Sequence, residues 1–85
     1  MLTGPQVRAA RGLLGWSQGE LASQAGLGFA TVQRAERQSG TIKGMVETVL
    51  KLQLALENAG VEFVDADQGK GPGVRLSTPI VSSSD

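Results

Sequence analysis

The chain has 85 residues, which allows one domain with a modest core, and its 40% hydrophobic content with few aromatics fits a small helical protein. It contains no cysteine and no histidine, which excludes disulfides and thiolate metal sites and removes the commonest general base and metal ligand. Its formal charge sums to zero, yet residues 1–44 carry Arg8, Arg11, Arg34, Arg37 and Lys43 against Glu20 and Glu36, a net of +3, while residues 45–85 carry a net of −3. An interaction face leaves such an asymmetry, and so does scattered surface charge. No apolar run approaches a membrane span and no charged-then-apolar leader opens the chain, so a cytoplasmic protein is expected.

Thr3-Gly4-Pro5-Gln6 forms a capping box, with proline in the first turn where its missing amide costs nothing, so a first helix is expected from Thr3. Leu2 and Val7 supply a staple, and Gly15 ends the helix. Val7, Ala10, Arg11 and Leu14 fall on one face. An arginine on an apolar face needs a carboxylate partner, or must carry its guanidinium out to solvent.

Ser17 to Glu36 reads as two short helices joined by a tight turn. Ser17 and Glu20 make a second capping box, with Trp16 and Leu21 as its staple. Gly26 follows Ala25 and suits a left-handed cap, a conformation that glycine adopts at little cost. Phe29 to Arg37 reads as the next helix, with Val32 and Ala35 inward and Phe29, Ala30, Gln33, Arg34 and Arg37 outward. Two helices crossing steeply need small residues at the crossing, and Ala22, Ala25 and Ala35 meet that need. The pattern is that of a helix-turn-helix; an αα-hairpin inside a plain helical bundle would give a similar one.

Residues 2–44 resemble the Cro/phage-repressor (xenobiotic-response-element type) helix-turn-helix regulators. The matching features are Gln18 at the first helical position, L-A-x-x-A-G over Leu21–Gly26, T-V-Q-R-A-E over Thr31–Glu36, and Arg11 with Glu36. Two positions depart from the family pattern: Gly28 stands where Ser or Thr is usual, and Ala35 where a large aliphatic residue is usual. The resemblance implies a lambda-repressor-like, mainly α bundle of about four helices. It also implies a phosphate contact at Gln18, a buried Arg11–Glu36 ion pair, double-stranded DNA as partner, and regulation of transcription.

The loop Q-S-G-T-I-K-G after Arg37 either brings Lys43 and the amides around Gly40 to phosphate or is merely solvated. A fourth helix is expected over residues 44–59. Its core stripe is Met45, Val49, Leu52, Leu56 and Ala59; a second stripe, Val46, Leu50 and Leu54, lies a third to half a turn away and is assigned to a homodimer interface, with the C-terminal hairpins alongside or paired into a larger sheet. Residues 61–64 and 73–76 read as a hairpin with a long turn-rich loop, Phe63 and Leu76 facing inward. The glycines at 69, 71 and 73 are read as loop, since no Lys-Ser/Thr follows and no helix opens there. Residues 1–76 thus form one domain, and the serine-rich 77–85 is expected to be a disordered tail.

The expected function is a small sequence-specific transcriptional regulator, on balance a repressor, that reads the major groove with helix 29–37. Arg34 suits guanine, Gln33 suits adenine, Phe29 or Ala30 can touch a thymine methyl, and Thr31, Arg37, Lys43 and Gln18 suit phosphates. The operator would be pseudo-palindromic. The alternative is an antitoxin-like protein-interaction module with secondary DNA binding. No enzyme, cofactor or metal is expected.

Overall fold

The computed structural model describes residues 2–78. Helix α1 spans Gly4–Leu14, with Thr3 Oγ1 accepting the Gln6 amide (3.1 Å) and Gln6 Oε1 accepting the Thr3 amide (2.9 Å), so both halves of the expected capping box form. Helix α2 is Gln18–Ala25, closed by Gly26 at φ 68°, and α3 is Phe29–Arg37. Helix α4 is Val46–Asn58, followed by an antiparallel pair, β1 (Val61–Val64) and β2 (Gly73–Leu76), in register Val61↔Leu76 to Val64↔Gly73. The fold is therefore mainly helical with a C-terminal hairpin. No helix is long and apolar enough to cross a membrane, among the described residues.

Each element contributes to one core. Val7, Leu21, Val32, Leu52 and Leu56 are fully buried, with Ala10, Ala22 and Ala35 between them and Leu2, Ile42 and Val61 at the margins. Small residues at Ala22 and Ala35 let α2 and α3 cross closely. The start of α1 approaches the end of α3 closely: a methyl built on Gly4 would overlap the Gln38 carbonyl oxygen and stand 3.0 Å from that of Ala35. Only glycine fits that seam. Ile42, which lines the same hollow as Ala35, is buried in the core with it.

The structure corrects several sequence expectations. The fourth helix is shorter at both ends than 44–59, and Met45 is not core: it caps α4 from outside and stays 70% exposed. Ser17 caps the Glu20 amide, but Glu20 does not reach back; its carboxylate instead accepts from Gln24 Nε2. The segment 38–44 is pinned rather than loose. Gly40 O accepts the Gly4 amide, Ile42 N donates to Leu2 O, and the Gln38 amide group bonds both backbone atoms of Lys43. Residue Ser77 belongs to the hairpin, donating through N and Oγ to Gly60 O, and is not part of a tail. The rest of the expected disordered tail, 79–85, lies outside the described residues. Within the hairpin loop, Asp67 and Lys70 exchange both backbone hydrogen bonds around Gln68-Gly69, both at positive φ, which makes a tight turn of its own.

Gln6 ties the hairpin to α1. Its Nε2 donates to Gly73 O (3.0 Å) while its oxygen is held by Thr3, so one buried amide caps a helix and anchors the end of the strand pair. Phe63 and Val74, cross-strand partners, pack on the core beside it.

Candidate nucleic-acid interface

Helix α3 presents two unlike faces. At about 100° per residue, Phe29, Gln33, Arg37, Ala30 and Arg34 occupy one continuous arc of about 140°, and all five are exposed. Val32, Ala35 and Glu36 occupy the opposite arc and are buried. Thr31 sits at the boundary, half-buried, with its Oγ1 accepting a long bond (3.4 Å) from Arg34 Nη2. Phe29 is 51% exposed at the start of the helix. Gly28 gives α3 no side-chain cap, as its missing hydroxyl requires, and the Thr31 and Val32 amides bond its carbonyl instead.

The exposed arc is basic. Arg34, Arg37 and Lys43 have no carboxylate partner among the described residues; the ion pairs present are Arg11–Glu36, Lys51–Glu47 and Arg75–Glu62. Lys43 follows α3 on the pinned loop, but its backbone amide is committed to Gln38 Oε1 (2.8 Å), so only the ammonium group is free to meet a phosphate.

Behind the arc, Glu36 is the fixed point. Its carboxylate, 3% exposed, accepts from Arg11 Nε (2.6 Å) and Nη2 (2.9 Å), a bidentate fork. Arg11 Nη1 donates to Trp16 O (2.9 Å), which ties the α1–α2 turn to the same group. Hydrogen bonding to Glu36 raises the Arg11 pKa above its ordinary value, burial opposing it, so the guanidinium stays charged. Gln18 completes the set: its Nε2 donates to Glu36 Oε1 (3.0 Å). This contact was not read from the sequence. It commits one of the two amide hydrogens of Gln18 internally and holds the side chain against α3.

Arg8 is a second residue that sequence reasoning passed over. Its Nη1 donates to the Glu36 carbonyl oxygen near the end of α3, where unpaired carbonyls and the helix dipole favour a cation. The signal was present in the sequence, since Arg8 and Arg11 lie three apart and therefore neighbour each other on α1. At the other end of the motif, Ser17 satisfies the Glu20 amide and its carbonyl satisfies that of Leu21, leaving the amides of Gln18 and Gly19 without partners among the described residues. Partnerless amides at a helix start are a ready anion site.

Helix α4 keeps Leu52 and Leu56 in the core and turns Val46 (74%), Leu50 (51%) and Leu54 (53%) to solvent. These three fall within about 80° of arc, centred about 140° from the middle of the Leu52–Leu56 core face. No family model matches the chain, and no curated protein matches it.

Proposed function

We propose that the protein is a sequence-specific double-stranded DNA-binding regulator of the Cro/phage-repressor type, with α3 as its major-groove reader. The observation that supports this best is the exposed arc of α3. It is basic, carries both bidentate-capable (Arg34, Gln33) and apolar (Phe29, Ala30) groups, and is anchored from behind by the buried Arg11–Glu36 pair. Arg34 would pair with guanine and Gln33 with adenine. Thr31, Arg37 and Lys43 would meet phosphates, as would the second amide hydrogen of Gln18 and the partnerless amides at the start of α2. The rigid fork at Glu36 sets the angle at which α3 projects, a service of such pairs better attested than raw stability.

Nine residues of helix span about 14 Å, the rise of about four base pairs, too little sequence to address one site in a genome. The proposal therefore includes a homodimer through Val46, Leu50 and Leu54 of α4, with a second copy covering the apolar face and the two α3 helices set about 34–36 Å apart. Selection of bound sequences from a random duplex pool tests the reading. It should enrich a pseudo-palindrome whose half-sites are about one helical turn apart; a pool that stays random would refute it.

A further inference from the structure

Where α1, the 38–44 loop and the hairpin meet there is an open cleft of about 850 Å³, most of whose lining residues are exposed. None of the α3 side chains, Gln18, Lys43, or the α4 residues Val46, Leu50 and Leu54 lines it. Its three walls are locked to each other through the first turn of α1. Gly4 N donates to Gly40 O (3.1 Å), Thr3 bridges Thr41, and Gln6 Nε2 holds Gly73 O (3.0 Å). The cleft is therefore preformed and does not depend on a ligand to assemble it.

Its chemistry narrows what it can hold. Pro5 and Ala9 from α1 and Val74 from β2 give apolar walls, and Ser39, Thr41 and Asp65 give hydroxyls and one carboxylate with no partners among the described residues. No lysine or arginine lines it. The start of α1 offers an anion nothing: the Gly4, Gln6 and Val7 amides are all bonded internally, and Pro5 has none. Asp65 would repel an anion. The geometry points to a binding site for a small organic amine, its ammonium on Asp65 with the Ser39 and Thr41 hydroxyls alongside, and its apolar body against Pro5, Ala9 and Val74. This holds whether or not α3 reads DNA.

The test is a titration of the ¹⁵N-labelled full chain with 2-phenylethylamine, 2-phenylethanol and phenylacetate, followed by amide chemical shifts. The amine should shift the amides of Thr41, Asp65, Ala66 and Val74 saturably, with a dissociation constant of about 0.5–10 mM, ordinary for a probe of about nine heavy atoms. Asp65→Asn should weaken the amine roughly 2–5-fold, the range of an exposed ion pair, and leave the alcohol unchanged. Ala9→Trp, which fills the cleft from an exposed helix position, should abolish the shifts while the remaining spectrum stays folded. Shifts that do not saturate, that centre elsewhere, that phenylacetate reproduces equally, or that survive Ala9→Trp would overturn the proposal.

Discussion

Replacing Arg11 by Met removes the cation that holds Glu36 and keeps most of the stem volume. What remains at Glu36 is a carboxylate 3% exposed with a single side-chain donor, Gln18 Nε2 at 3.0 Å. Breaking one side of a buried ion pair costs about 3–5 kcal/mol. The Arg11 side chain is itself 21% exposed, so water can reach part of the vacated site, and the low end, about 3 kcal/mol, is the expected loss. For a domain of this size that lowers the melting temperature by about 12–24 °C. The matched control is Arg8→Met, in which an exposed arginine forfeits one part-buried hydrogen bond to the end of α3, about 0.5–1.5 kcal/mol. Thermal unfolding followed by circular dichroism should therefore place Arg11→Met at least about 1.5 kcal/mol below Arg8→Met. Adding Glu36→Leu to Arg11→Met should recover most of the loss, because the stranded charge is gone. Equal melting temperatures for the two single variants, or no recovery in the double variant, would refute the buried-pair argument.

Gly4→Ala should destabilise the domain by about 3 kcal/mol or more in urea titration, because the new methyl meets the Gln38 carbonyl and backbone cannot step aside. Leu50→Glu with Leu54→Glu should sediment as a folded monomer, whereas the unmodified protein should sediment as a dimer at micromolar concentration; a monomeric unmodified protein would contradict the α4 interface. Hydrogen bonding from Arg75 holds the Glu62 carboxyl pKa below its ordinary value, so the cross-strand pair supports the hairpin above the unfolded carboxylate pKa and is lost as pH falls through the lower folded one. The Glu62 side-chain carbon should accordingly titrate at lower pH in the native chain than in Arg75→Ala.

Local signals carried most of the fold. Caps at Thr3, Ser17 and Gly26, and the 3.6-residue stripes of α1 and α3, are written within a few residues and were legible. The Arg11–Glu36 pair was legible only because the resemblance pointed at both positions. What stayed hidden depends on long-range approach. Ile42 looked like a loop residue because its burial comes from Leu2 and the core, 40 residues away in sequence, and Gln6 looked like a cap alone because its second bond reaches Gly73. Met45 shared the spacing of the core stripe, but it precedes the first turn of α4, where the chain has not yet entered the helix. For the candidate interface, amphipathicity placed the outward residues of α3 correctly. It could not show that Gln18 leans on Glu36, since that contact joins two helices whose angle the sequence does not specify.

The claim that α3 reads base edges is tested most directly by Arg34→Ala, with binding measured by fluorescence anisotropy on the selected duplex and on a scrambled one. A loss of roughly 5- to 150-fold on the selected duplex is expected, corresponding to about 1–3 kcal/mol, with preference relaxed at one base pair per half-site and little change on the scrambled duplex. In the same assay Gln18→Ala should weaken both duplexes alike. An Arg34→Ala variant that loses equal affinity for the two duplexes, or for neither, would contradict that claim.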